Sequence, residues 1–350
     1  NIILGKELWI TDGTPEGTLL LKDIYPGNTN GSPTGMVSYN DNVYFVAFHP
    51  DTDGSALWVT DGTEDGTQLF ADLASDGNLG FGETAVWNGK LFMTLNIPGI
   101  GTEPWVTDGT FEGTIQRMDI AVGSDGSGPS KYTSFGDKLV FSAFNSSIGN
   151  EPYTTDGTPE GTAILKNINP GSGNSQIDSF EELNGELLFS AQSDTGRQVW
   201  KTDGSEEGTV QVSSINSNST LVSELTRIDD KVYFRSNSDD VGRELFVTDG
   251  TPEGTTNVTD INPGAAGSVV EHLAVLDGKL FFRAEEDGAG EELWIYDPLT
   301  EELSTIDLQS GAGSSSPYFF QPLGDKLFFA AYDGVGYEPH ITDGTEDGTF

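Results

Sequence analysis

The chain has no cysteine in 350 residues, so disulfides and thiolate metal sites are both excluded. Histidine is nearly absent too, with only His49, His272 and His340. Neither a G-x-S-x-G elbow, an H-E-x-x-H zinc motif nor a Walker loop occurs. Basic residues are few, 16 against 56 acids, giving a formal charge of −40. Phosphate recognition needs clustered Lys and Arg, so a nucleic-acid partner is not expected. No apolar run approaches the roughly 20 residues of a membrane-spanning helix, so membrane insertion is not expected either. No signal peptide is visible, and the chain opens and stops in mid-repeat, as a segment of a longer precursor would.

What is present is a period. The stretch Glu7-Leu8-Trp9-Ile10-Thr11-Asp12-Gly13-Thr14 returns along the whole chain, its Asp falling at Asp12, Asp61, Asp108, Asp156, Asp203, Asp249, Asp297 and Asp343. Successive positions lie 46 to 49 residues apart, which marks a repeat architecture. Glycine, at 45 residues, is about twice its usual share and sits in turns. Helical periodicity is absent. One unit reads as short strands over 36–39, 43–47, 56–60 and 68–73, the first two joined by a tight turn at Asn40-Asp41-Asn42. That turn recurs as Asn88-Gly89, Asn184-Gly185 and Asp277-Gly278, dipeptides suited to the positive φ of hairpin turns.

Four strands, a to d, in every 47 residues or so predict an all-β chain folded as one domain over 1–350. The expected architecture is a seven-bladed β-propeller of four-stranded antiparallel blades, because the a–b hairpin occurs seven times. The ring would be closed by the N-terminal c–d hairpin (1–25) joining the C-terminal strands (316–350). Eight blades with one partial is the alternative.

The aromatic column Trp9, Trp58, Trp105, Tyr153, Trp200, Phe246, Trp294 and His340 reads as packing between sheets rather than as a sugar-stacking ring. His340, the odd member, is expected at a solvent-facing edge. The recurring Asp reads as a cap for its own turn, the next Gly as the source of positive φ, and the second Gly as re-entry into strand d. An active site normally occurs once, and this motif occurs in every repeat.

The b–c loops vary most and are where individual function is expected. Asp51-Thr52-Asp53-Gly54 alternates oxygen ligands ahead of a glycine, like the first half of a calcium loop, but lacks the bidentate Glu at its twelfth position, where Gly62 stands. Asp239-Asp240 and the acids ending at Asp287 are comparable clusters. The candidate metal ligands are therefore Asp51, Asp53, Asp239, Asp240 and Asp287, with calcium as the ion. No catalytic residue stands out.

The motif at 7–14 and its counterpart Glu244-Leu245-Phe246-Val247-Thr248-Asp249-Gly250-Thr251, with following links such as Asp260-Ile261-Asn262-Pro263-Gly264, resembles the bacterial ELWxxDGT repeat family over essentially the whole chain. The pattern weakens at Gln198-Val199-Trp200 and at 292–300. The resemblance implies a large secreted or surface-attached bacterial protein, and it supplies no catalytic residue to carry over. The expected function is a non-catalytic extracellular module for attachment or assembly, stabilised by calcium and partnered by protein neighbours or further copies of itself. A carbohydrate-binding module for extracellular glycans is the alternative, and an enzyme acting on polysaccharide is the third reading.

Overall fold

The computed structural model describes residues 5–51, 54–74, 77–116, 118–215 and 221–350. Among them every regular element is a strand, and the all-β expectation holds. Among the described residues eight antiparallel sheets follow one another, six with four strands, one with three and one with two. We number them in chain order: sheet 1 (8–22), sheet 2 (34–71), sheet 3 (80–116), sheet 4 (130–164), sheet 5 (180–211), sheet 6 (222–257), sheet 7 (271–306) and sheet 8 (318–342). The chain forms two compact units, the first holding sheets 1 to 4 and the second sheets 5 to 8.

Sheet 2 shows the plan. Strand a is Thr34–Tyr39, b is Asn42–Phe48, c is Ser55–Thr60 and d is Gln68–Ala71. These spans follow the sequence reading to within two residues at each end. The a–b turn carries Asn40 and Asp41 at φ of 48° and 57°, the left-handed conformation a two-residue hairpin requires. Seven such a–b hairpins are present, in sheets 2 to 8. Sheet 1 is a c–d pair alone, Leu8–Ile10 with Leu19–Lys22.

On sheet 8 the backbone of Phe350 exchanges two hydrogen bonds with Ile341 of strand c, at 3.0 and 3.1 Å, because the turn at Asp343 returns the chain to that edge.

Sheets within a unit stack through a recurring contact. The residue before the column aromatic on strand c of one sheet packs against strand b and the column aromatic of the next. Leu8 thus meets Phe45 and Trp58, and Leu57 meets Met93 and Trp105. In the second unit Val199 meets Phe234 and Phe246, Leu245 meets Phe282 and Trp294, and Leu293 meets Phe329. Column aromatics 58, 105, 153, 200, 246 and 294 are all buried, and the indole N–H groups of Trp58, Trp105, Trp200 and Trp294 find no partner. Their column is packing, as expected. His340 departs from expectation: it stacks on Phe329 at 5.5 Å with both ring nitrogens buried.

Candidate functional site

The recurring carboxylates come first, since they are the most conspicuous chemistry in the chain. In the third T-D-G-T turn, Asp108 Oδ1 accepts from the Thr110 amide (2.9 Å) and the Thr110 hydroxyl (2.7 Å). The Thr110 hydroxyl in turn accepts from the Gly113 amide at 3.0 Å. Across the base of the turn the hydroxyls of Thr107 and Thr114 bond at 2.8 Å. The same Asp bonds recur at Asp12, Asp61, Asp156, Asp203, Asp249 and Asp343. At Asp12, Asp61, Asp108, Asp156, Asp249 and Asp343 the bond from the hydroxyl of the Thr two residues on leads in holding the carboxyl below its ordinary value. These groups are committed to their turns. The second glycine is not a re-entry device: a Cβ at Gly113 would fall on the Asp108 carboxylate, and the same holds at each equivalent turn.

A second carboxylate column, the Glu of E-L-W, is buried at Glu7, Glu103, Glu151, Glu244 and Glu292 and exposed at Glu338. Glu103 accepts from the amides of Ile120 (3.1 Å), Ala121 (3.2 Å) and Ser127 (2.9 Å), and from the Ser127 hydroxyl (2.6 Å). It thereby clamps the link that leaves strand d. Glu7 holds Ile24 and Gly31 in the same way, and Glu292 holds Leu308 and Ser315. Gln198 replaces it in sheet 5, accepting from Ser213 and Ile215. Burial pushes Glu103, Glu244 and Glu292 above the ordinary carboxyl value, outweighing the hydrogen bonds that favour the charged form. The motif contains this residue, but nothing local in the sequence signals its burial, because its hydrogen-bond donors lie 17 to 24 residues further on.

The expected metal ligands that are described lie on separate b–c loops. Asp51 lies exposed after His49, whose Nδ1 accepts its amide at 3.2 Å. Asp53 lies outside the described residues. Asp239 and Asp240 sit in an exposed b–c turn of sheet 6. Asp287, in the b–c loop of sheet 7, donates its amide to Asn262 Oδ1 at 2.7 Å. It lines a cavity of about 420 Å³ with Asn262, Ala266, Val269 and Glu285. Among the described residues no three His, Cys, Asp or Glu side chains gather as a metal-binding group. Each cluster belongs to a different b–c loop.

One charged group breaks the repeat. Strand b carries Val46, Thr94, Ser142, Ser190 and Ala330 at one column, but Arg235 and Arg283 in sheets 6 and 7. Arg235 reaches Glu271 at 3.1 Å and Glu224 at 3.2 Å, and Arg243 reaches Glu271 at 3.0 Å. Arg283 pairs with Glu271 and lies 3.8 Å from Glu291. Three of the chain's six arginines thus surround one glutamate, with side chains 18 to 36 % exposed. Comparing strand b repeat by repeat would have exposed it in the sequence.

No protein-family model and no curated protein sequence matches the chain. Among solved structures, the chain is similar to a prolyl endopeptidase at 14 % identity and a TM-score of 0.50, covering 89 % of this chain and 48 % of that one. Oligopeptidase B from Leishmania major matches at 9 % identity and a TM-score of 0.49, covering 89 % and 47 %. A computationally designed protein matches at 14 % identity and a TM-score of 0.47, covering 92 % and 86 %. The chain spans about half the length of the peptidases it matches. At such identity the likeness shows the fold alone, and that fold is the β-propeller.

Proposed function

We propose that this chain is a non-catalytic β-propeller module of an extracellular or surface-attached protein, acting in attachment or assembly. One observation carries the reading. The recurring acids that could look catalytic are spent inside their own repeats, Asp108 on its turn and Glu103 on its link. In this reading function lies on the surface. The resemblance to ELWxxDGT repeats supports the location. The test is light scattering on the purified chain in millimolar calcium and then in chelator. Growth of mass in calcium supports an assembling module whose exposed acid-rich loops are bridged by the ion, while a fixed 37.4 kDa mass in every condition removes assembly from the reading.

A second reading is favoured by the arginine cluster. Guanidinium and carboxylate groups side by side at 18 to 36 % exposure are suited to the hydroxyls of a glycan. Glycan-array binding that disappears in Glu271→Gln with the fold intact would move carbohydrate recognition into first place.

A further inference from the structure

Sheet 7 ends differently from the others. In sheets 3 to 6 strand d is two residues long, as at Ile115–Gln116 and Thr256–Asn257. In sheets 1 and 2 it has four residues, with a register shift against strand c. In sheet 7 it runs over five, Glu302–Ile306, paired in unbroken register with Leu293–Asp297. Among the described residues it is the longest strand d. The cause is the turn. Asp297-Pro298-Leu299 lacks both motif glycines. Asp297 Oδ1 instead accepts the Leu299 amide at 3.0 Å, and Glu301 takes φ of 58°. The chain re-enters the sheet after residues 298–301, four in number, where sheet 3 spends the seven residues 108–114.

This strand is the last of its sheet, and no strand pairs with its far edge. Proteins usually blunt such edges with shortness, proline, lysine or a bulge. Glu302-Leu303-Ser304-Thr305-Ile306 has no proline, lysine or bulge, and its one charge, Glu302, stands at the start. The first four of these residues are exposed. Each face beside the edge carries a cavity. Leu303 and Thr305 pair with Tyr296 and Trp294 and share their face. A cavity of about 180 Å³ there is lined by Trp294, Thr305, Glu286 and Asp307. Glu302 and Ser304 pair with Asp297 and Ile295 and share the opposite face. A second cavity, of about 300 Å³, is lined by those four and by Lys279, whose Nζ lies 3.2 Å from Asp297.

Within the attachment reading, on which this rests, we propose that the edge 302–306 binds an extended segment of a partner protein as a fifth strand of sheet 7, with Lys or Arg at alternate positions. Successive side chains of a strand point to opposite faces, so one added strand addresses both cavities. Main-chain hydrogen bonds supply the affinity and the cavities choose the side chains. The basic residues belong on the Trp294 face. Glu286 and Asp307 are exposed there, whereas Glu292 is already spent on Leu308 and Ser315. The formal charge of −40 draws a basic segment in from a distance.

The test uses the full chain and a heptapeptide alternating lysine with valine, beside the same peptide with every amide N-methylated. Calorimetric titration measures binding, and hydrogen exchange read by mass spectrometry locates it. The first peptide should bind and slow exchange over 302–306, leaving the two-residue strand d of sheet 6 unchanged. The methylated peptide carries the same charge without ladder donors and should not bind. Glu286→Lys with Asp307→Lys, both at exposed positions clear of the core, should weaken binding roughly tenfold through two surface ion pairs. Equal binding of both peptides would overturn the fifth strand, since charge alone would then suffice. Protection elsewhere and not at 302–306 would overturn this edge and leave attachment standing. No binding of the unmethylated peptide would overturn the partner proposed, while the mass in calcium still decides assembly.

Discussion

The Asp108 carboxylate rests directly over the Cα of Gly113, five residues on in its own turn, and occupies the space where any other residue would place a Cβ. The pair explains why the motif carries two glycines with different duties. The first, Gly109, has φ of 95° and room for a Cβ at ordinary van der Waals contact with Tyr44 and Tyr39, whereas the second has no special φ and no space at all.

Gly113→Ala should therefore destabilise by about 2 kcal/mol, by driving the Asp108 carboxylate off its Thr110 bonds. In an Asp108→Ala background the same change should cost almost nothing, because the obstructing group is gone. Chemical denaturation of the four members of that cycle measures the coupling. Additive costs would show that the two residues act independently.

Glu103→Ala strands three buried amides and the Ser127 hydroxyl, and should cost on the order of 3 kcal/mol. Glu103→Gln should cost about 1 kcal/mol, since Gln198 fills the equivalent place with its oxygen still accepting from Ser213 and Ile215. Equal losses for Ala and Gln in thermal unfolding would mean that the charge, not the acceptor geometry, holds the link.

Stability should rise as pH falls from neutrality, then collapse. Glu103, Glu244 and Glu292 have folded values raised above the ordinary 4.5 by burial, so their contribution is complete below 4.5 and lost as pH climbs through the raised values. The turn aspartates have folded values lowered from 3.8 by bonds from their threonines, so theirs is complete above 3.8 and lost as pH falls below it. Relief of the −40 charge works in the same direction as the glutamates. Thermal midpoints from pH 7 to 3 should peak near the interval between those two values. A steady decline from pH 7 downward would contradict the assignment for the glutamates.

Removing Glu271 leaves Arg235, Arg243 and Arg283 facing one another with only Glu224 and Glu291 to balance them. Glu271→Ala should cost about 2 kcal/mol, below the 3 to 5 typical of a fully buried pair because water still reaches these side chains. Adding Arg235→Ser, the residue type sheets 4 and 5 carry at that column, should recover part of the loss. No recovery in the double variant would mean that Glu271 acts by packing.

Much of the architecture was legible in the sequence because it is local. Asn40-Asp41 and Asp277-Gly278 announce hairpins through backbone conformations that few other residues adopt, and alternation does the rest. The Asp of each turn was readable as a cap because its partners lie two residues away. Glu103 was not, since its donors lie 17 to 24 residues on and its burial depends on where the link runs. The calcium expectation rested on acids adjacent in sequence within single b–c loops, and among the described residues no three such side chains gather as a group.

The sequence by itself determined the period, the strands, the hairpin turns and the self-capping of T-D-G-T, all set by interactions within about ten residues. Only the tertiary structure decided which aromatics are covered. Trp58 is buried because Leu8 of sheet 1 is laid against it, a contact 50 residues apart in the chain. The tertiary structure likewise drew Arg235, Arg243 and Arg283 around Glu271, from positions 36, 28 and 12 residues away in the chain, a convergence that no local pattern encodes.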